Sequence, residues 1–134
     1  MVLVDAGPLV ALVDAQDQYH EKCVRALGNL REPVATLWPN VTEAMYHVLG
    51  ILPAQDALIE LLQTGALKLL PLGSADLPRI RELMRQYCDL PMDFADAALI
   101  RVAERDGIKA FFTLDRRDFS VYRLNGRTRP ELIP

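Results

Sequence analysis

The sequence is poor in the residues from which many metal and cofactor sites are built. It has two cysteines, two histidines and one tryptophan among 134 residues. Neither cysteine belongs to a Cys-x-x-Cys pair or to a Cys/His ligand spacing, which argues against zinc. Cys23 and Cys88 are expected as small apolar core residues in a reducing compartment. No G-x-G-x-x-G follows the first apolar run, so a dinucleotide-binding fold is disfavoured. No apolar stretch approaches the roughly 20 residues needed to cross a bilayer. The N-terminus lacks the basic leader of a signal peptide, and a cytoplasmic protein without membrane association is expected. Internal repeats, low-complexity tracts and linkers are also missing, which leaves one domain over residues 1–134.

An excess of positive charge is likewise missing. The net charge is −3, which excludes a simple basic nucleic-acid binder. The charge is nevertheless uneven along the chain. Residues 1–100 carry 7 Lys and Arg against 13 Asp and Glu, whereas residues 101–134 carry 8 against 5. An acidic centre with an arginine-rich rim suits a polyanionic partner.

What the chain does have is a set of short apolar runs, each punctuated by Gly, Pro or Asp. Val2-Leu3-Val4 is apolar without alternation, the pattern of a strand buried on both faces of a parallel sheet. Further strands are expected at Val34–Leu37, Leu67–Leu70 and Ala110–Leu114, with a small edge strand between Pro130 and Pro134. Helical spacing of apolar residues fills the intervals. A short helix is expected over Pro8–Asp14. A second follows an Asp17 cap, with Cys23, Val24, Leu27 and Leu30 on its buried stripe. A helix opened by Pro39, with Val41, Ala44, Met45, Val48 and Leu49 on its buried stripe, stops at Gly50, and one opened by Pro53 stops near Gly65. Another carries Ile80, Leu83, Met84 and Tyr87 behind a Ser74 or Asp76 cap, and a last one runs from Asp93 to Arg105. Strands alternating with single or paired helices predict an α/β fold: a three-layer α/β/α sandwich with a central, mainly parallel sheet of four to five strands.

Four carboxylates stand where this chain leaves a strand or enters a helix. Asp5 and Asp115 end the first and fourth strands, Glu43 lies off the apolar stripe of the Pro39 helix, and Asp96 lies in the first turn of the helix after Pro91. In a parallel sheet these places share one edge, which is where open α/β sheets bind ligands. Asp93 pairs with Asp96 as a capping Asp-x-x-Asp, and Asp118 stands at the outer margin of the group. Converging carboxylates raise one another's pKa, and a divalent cation relieves that conflict. Oxygen donors without His or Cys suit Mg²⁺ or Mn²⁺. Such an ion can bind a phosphate oxygen and activate water, so the chemistry predicted is metal-assisted phosphodiester hydrolysis.

Val4-Asp5-Ala6-Gly7-Pro8, Thr42-Glu43, Pro91-Met92-Asp93-Phe94-Ala95-Asp96-Ala97 and Thr113-Leu114-Asp115-Arg116-Arg117-Asp118-Phe119, in that order, resemble a PIN domain. They are most similar to the VapC-type toxins of bacterial and archaeal toxin–antitoxin pairs, and Asp17-x-x-His20 adds to the likeness. The resemblance implies a Mg²⁺- or Mn²⁺-dependent endoribonuclease, silenced by a small antitoxin protein and expected as a homodimer. It assigns Asp5, Glu43 and Asp96 as core metal ligands, with Asp115 as the fourth and Asp93 as an additional acid. Thr113 is expected to hydrogen-bond within the cluster, and Arg116 and Arg117 to contact RNA phosphates. His20 is expected to be a polar partner on a helix surface, His47 an edge residue one turn after Glu43, and Trp38 a packing or interface residue.

Two other readings fit the residues less well than the nuclease. A phosphatase of the haloacid-dehalogenase type wants Asp-x-Asp after the first strand, where this chain has Asp5-Ala6-Gly7. A non-catalytic, Mg-binding or partner-binding module of receiver type needs a phospho-acceptor Asp on a middle strand and a Lys near the end of a late one. Strands two and three end at Leu37 and Leu70 without such an Asp, and Lys109 precedes its strand.

Overall fold

A computed structural model describes all residues from 1 to 134. Five strands form one sheet in the order β3-β2-β1-β4-β5, and every pairing in it is parallel. They are β1 (Val2–Val4), β2 (Val34–Thr36), β3 (Leu67–Leu69), β4 (Ala110–Phe112) and β5 (Glu131–Ile133). Seven α-helices connect or flank them: α1 (Ala6–Val13), α2 (His20–Asn29), α3 (Trp38–His47), α4 (Leu52–Thr64), α5 (Leu77–Gln86), α6 (Phe94–Asp106) and the single turn α7 (Arg116–Phe119). The α/β/α sandwich read from the sequence is the observed fold.

Side-chain alternation on the short strands creates two cores. Val2, Val4, Ala110 and Phe112 point to one face, where α1 to α4 contribute Leu9, Cys23, Val41, Ala44 and Leu58. Leu3, Ala35 and Phe111 point to the other, against Ile80 and Leu83 of α5, Leu99 and Val102 of α6, and Phe119 and Tyr122. Each large side chain sealed this way contributes about 2 kcal/mol of hydrophobic stabilisation. β1 is central and buried on both faces, as its unalternating sequence predicts. Left-handed glycines end two of the long helices, Gly65 at φ +80° after α4 and Gly107 at φ +70° after α6, a conformation that L side chains rarely adopt.

Some sequence expectations are corrected. Cys23 is buried, but Cys88 is exposed: it follows the end of α5, beyond the reach of that helix's apolar stripe. Val24 and Leu49 also face solvent. Asp17 does not cap α2, which starts only at His20; it closes the preceding turn by accepting from the Tyr19 N–H at 2.9 Å. His20 is a polar partner as expected, its ring Nδ1 lying 2.7 Å from the Ala11 carbonyl oxygen. The α1 helix begins at Ala6, two residues before Pro8, because Asp5 itself is its N-cap.

Asp76, read as a cap, has a larger role. Its buried carboxylate accepts from the Gly73 N–H at 2.9 Å, from Arg101 Nε at 2.9 Å and from Arg105 Nη1 at 3.2 Å. Beside it, Arg79 makes a two-point contact with Glu104, at 2.8 and 3.0 Å. These pairs fasten α5 to α6 on the layer that carries Asp96. The Gly73 N–H and the two guanidinium groups outweigh burial and hold the Asp76 carboxyl below its ordinary 3.8. A depressed carboxyl stabilises the fold above its unfolded pKa and loses that contribution as pH falls through the folded value. Asp76→Asn is therefore expected to cost about 2 kcal/mol at pH 7, with the gap to wild type closing below about pH 4. Urea unfolding at pH 7 and at pH 3 measures both effects.

Candidate active site

The sheet register builds the site. Val4 of β1 is level with Phe112 of β4, so the next residues, Asp5 and Thr113, emerge side by side at the carboxyl edge. The Thr113 hydroxyl donates to Asp5 Oδ2 at 3.1 Å and accepts from the Asp115 N–H at 3.0 Å. Thr113 thus links the first acid to the fourth, as the sequence resemblance implies. Asp5 Oδ1 accepts from the Ala6 N–H at 2.8 Å and from Asn40 Nδ2 at 3.3 Å.

The other acids arrive on helix N-terminal segments. Pro39 allows α3 to start immediately after β2, which puts Asn40 and Glu43 one turn apart over the same edge. In the Met92–Asp96 segment, Asp93 caps α6 by accepting from the Asp96 N–H at 2.8 Å. Asp115 caps α7 in the same way, accepting from the Asp118 N–H at 3.1 Å. The small residues Ala95, Ala97 and Ala98 are buried and let α6 approach the sheet, so Asp96 sits at its edge.

These residues line one cleft of about 410 Å³. Its walls contain Asp5, Glu43, Asp93, Asp96, Asp115 and Asp118, with His47 at the margin and no Lys or Arg. The structure brings the four acids singled out in the sequence to one place, together with Asp93 and Asp118. Arg116 and Arg117 lie outside the cleft. Arg116 turns its guanidinium to the carbonyl groups of Leu132 and Pro134, and Arg117 is exposed.

The electrostatics follow from crowding six acids in a cleft that no Lys or Arg lines. Burial, then repulsion from Asp5 and Asp93, pushes the Asp96 carboxyl up to about 8. Burial also raises Asp5, against the opposing effect of its N–H and hydroxyl donors. Glu43 is raised by burial and by the charges of Asp93 and Asp5. The donor chemistry fits a hard divalent cation: carboxylate oxygens dominate the walls, and their unbalanced charge is what such an ion would neutralise. As they stand, no three of the acidic, His or Cys side chains are drawn together into a ready ion cage. Asp5, Glu43, Asp96 and Asp115 are the residues that could hold the ion, with Asp93 and Asp118 beside them.

Two functional side chains were not legible in the sequence. Asn40 is fully buried, and its amide oxygen has no hydrogen-bond partner; its position three residues before Glu43 is the only signal that could have pointed to it. Tyr122 is also fully buried, and its hydroxyl donates to Asp96 Oδ2 at 2.9 Å. No spacing rule connects Tyr122 with Asp96, which lie on different segments 26 residues apart.

The chain matches the PIN domain family model over residues 2–124 and belongs to that family. It is 29% identical to ribonuclease VapC26 of Mycobacterium tuberculosis, a similarity covering 99% of this chain and all of the relative. Among solved structures, it resembles M. tuberculosis VapC20, described as a sarcin-ricin loop cleaving toxin. That likeness has a TM-score of 0.82 at 16% identity and full coverage of both chains. It also resembles a chain of a Klebsiella pneumoniae toxin–antitoxin complex, with a TM-score of 0.70 at 16% identity, covering 90% of this chain and 92% of the other.

The raised Asp96 carboxyl has a sign that can be checked without substrate. A carboxyl whose folded pKa lies above its unfolded value of 3.8 binds its proton more tightly in the native state. Metal-free stability therefore falls as pH rises from about 4 towards about 8. Asp96→Asn removes that titration and keeps an oxygen to accept from Tyr122. In EDTA, the variant is expected to melt above wild type, by a margin that grows between pH 5 and pH 8. Equal margins at both pH values would contradict the assignment.

Proposed function

We propose that this protein is a metal-dependent endoribonuclease, the toxin of a type II toxin–antitoxin pair, which hydrolyses RNA phosphodiester bonds. The observation that carries this reading is the cleft of six carboxylates, four of them at the positions where the chain resembles VapC-type PIN domains. Asp5, Glu43, Asp96 and Asp115 are proposed to hold Mg²⁺ or Mn²⁺, with Asp93 as an accessory acid. When bound, the ion supplies a Lewis acid for a phosphate oxygen and lowers the pKa of water. The chain's own residues prepare that chemistry. Thr113, Asn40 and the Ala6 N–H fix the Asp5 carboxylate, and Thr113 ties it to Asp115. Gly7 and Leu114 border the cleft beside these acids. Arg117, exposed beside Asp115, is proposed to contact flanking RNA phosphates. Arg116 is proposed to do so as well, at the cost of its contacts with the C-terminal carbonyls.

The names of the relatives support a ribonuclease with an antitoxin partner, and the surface of α3 and α4 has the character to receive one. Trp38, Tyr46, Leu49 and Leu52 are exposed there, beside a groove of about 650 Å³ lined by Trp38, Val41, Met45, Ile59, Leu62 and Leu69. Exposed apolar side chains concentrated on one face mark interaction surfaces. A homodimer and a cytoplasmic location belong to the same reading. No helix is long and apolar enough to cross a membrane.

The receiver-like alternative is not favoured. Such a module needs a Lys near the end of a late strand, and no Lys lines the cleft.

Purified protein incubated with total RNA and Mg²⁺ or Mn²⁺ is expected to produce discrete fragments with mapped ends, and EDTA to stop the reaction. Asp5→Asn and Asp96→Asn are each expected to lower the rate by on the order of 100-fold or more and to relieve growth inhibition in cells, with folding unchanged by circular dichroism. Undiminished cleavage by Asp96→Asn protein, or by wild type in excess EDTA, would rule the mechanism out.

A further inference from the structure

Tyr122 has no exposed surface, yet it carries a hydroxyl. Its ring is wedged in an aromatic column: it lies 5.1 Å from the Tyr87 ring and 5.1 Å from the Phe119 ring, and Phe119 lies 5.5 Å from Phe111. Edge-to-face packing of this kind leaves the ring little freedom. The hydroxyl is aimed at Asp96 Oδ2, 2.9 Å away, and this is the only hydrogen bond made by the Asp96 side chain. An aspartate carboxylate otherwise turns about a broad, two-fold torsion. A donor held on one oxygen selects one orientation, commits Oδ2 to the protein and leaves Oδ1 free for another partner.

The route by which Tyr122 arrives gives this contact a second meaning. Asp115 leaves β4, caps α7 and presents the fourth acid of the cleft. The same short segment then runs through Phe119 into the core and returns the Tyr122 hydroxyl to the third acid. The strap is pinned one residue later by the Arg123 N–H, which donates to the Tyr87 hydroxyl at 3.0 Å. Two tyrosine hydroxyls therefore sit in one column with different duties: Tyr87 holds the backbone of the strap, and Tyr122 holds the acid.

We propose that Tyr122 is a positioning residue that orients the Asp96 carboxylate for a divalent cation and sets its geometry relative to Asp115. The inference rests on the metal-dependent reading above, because orientation by an outer hydrogen bond matters only if Asp96 is a ligand. Partners of this kind typically change metal affinity by 10- to 100-fold.

The test uses Mn²⁺ itself as the probe, with binding to full-length protein followed by calorimetry. Tyr122→Phe, which removes one oxygen and keeps the column, is expected to weaken Mn²⁺ binding about 10-fold. Its RNA cleavage should require correspondingly more Mn²⁺, with the KM for RNA unchanged. Tyr87→Phe, the matched loss of a hydroxyl from the same column, is expected to lower the melting temperature and leave Mn²⁺ affinity as in wild type. Placing 4-aminophenylalanine at position 122 restores a donor and is expected to recover most of the affinity. The proposal is overturned if Tyr122→Phe binds Mn²⁺ like wild type, if Tyr87→Phe loses as much affinity, or if the restored donor recovers none. Wild-type protein that binds no Mn²⁺ would instead remove the metal-dependent reading itself, an outcome distinct from equal binding by wild type and Tyr122→Phe.

Discussion

Carboxylates repel one another, and this protein gathers six of them at one edge of its sheet. The rest of the structure is arranged so that the fold survives that repulsion. Three of the acids are caps as well as cleft residues: Asp5, Asp93 and Asp115 each accept a backbone N–H where a helix begins. Partial positive charge at helix N-termini favours acids there, so capping a helix and lining the cleft go together at these residues. Asp96, in the first turn of α6, accepts no backbone N–H. It accepts one hydroxyl, and burial and the charges of Asp5 and Asp93 push its carboxyl up to about 8.

The two layers of helices divide the work. On one face, α3 delivers Asn40 and Glu43 and then exposes apolar residues from its outer surface. On the other, α5 and α6 are bound together by Asp76 with Arg101 and Arg105, and by Arg79 with Glu104. Arg79, Arg101 and Arg105 of this second layer are held in structural pairs, and none of the 15 Lys and Arg residues lines the cleft. A Lys or Arg in the walls would neutralise the acids permanently; the cleft has His47 instead, and its acids outnumber it.

Much of this was readable one residue at a time. The strands, the parallel sheet and the edge position of the last strand follow from short apolar runs separated by Gly and Pro. Asp5 and Asp115 stand out because each ends a strand, Asp96 because it lies in the first turn of a helix, and Glu43 because it lies off the apolar stripe of its helix. Helix faces were read less well: Val24 and Leu49 occupy apolar positions by spacing yet face solvent. Cys88 failed for a related reason, since it lies just past the end of α5, where helical periodicity no longer applies.

The sequence by itself determined the class of fold and the four acids, because both are encoded locally, in the order of apolar runs and in the residues that end them. Tertiary structure decided how neutral groups reach those acids: the resemblance points to Thr113, but not to Asn40 or Tyr122 as a partner. Asn40 reaches Asp5 because α3 starts immediately after a strand adjacent to β1, and Thr113 reaches it because β1 and β4 pair in register at Val4 and Phe112. Tyr122 reaches Asp96 because the strap after Asp115 folds back through an aromatic column. These are contacts between segments distant in sequence, made by geometry that no local pattern records.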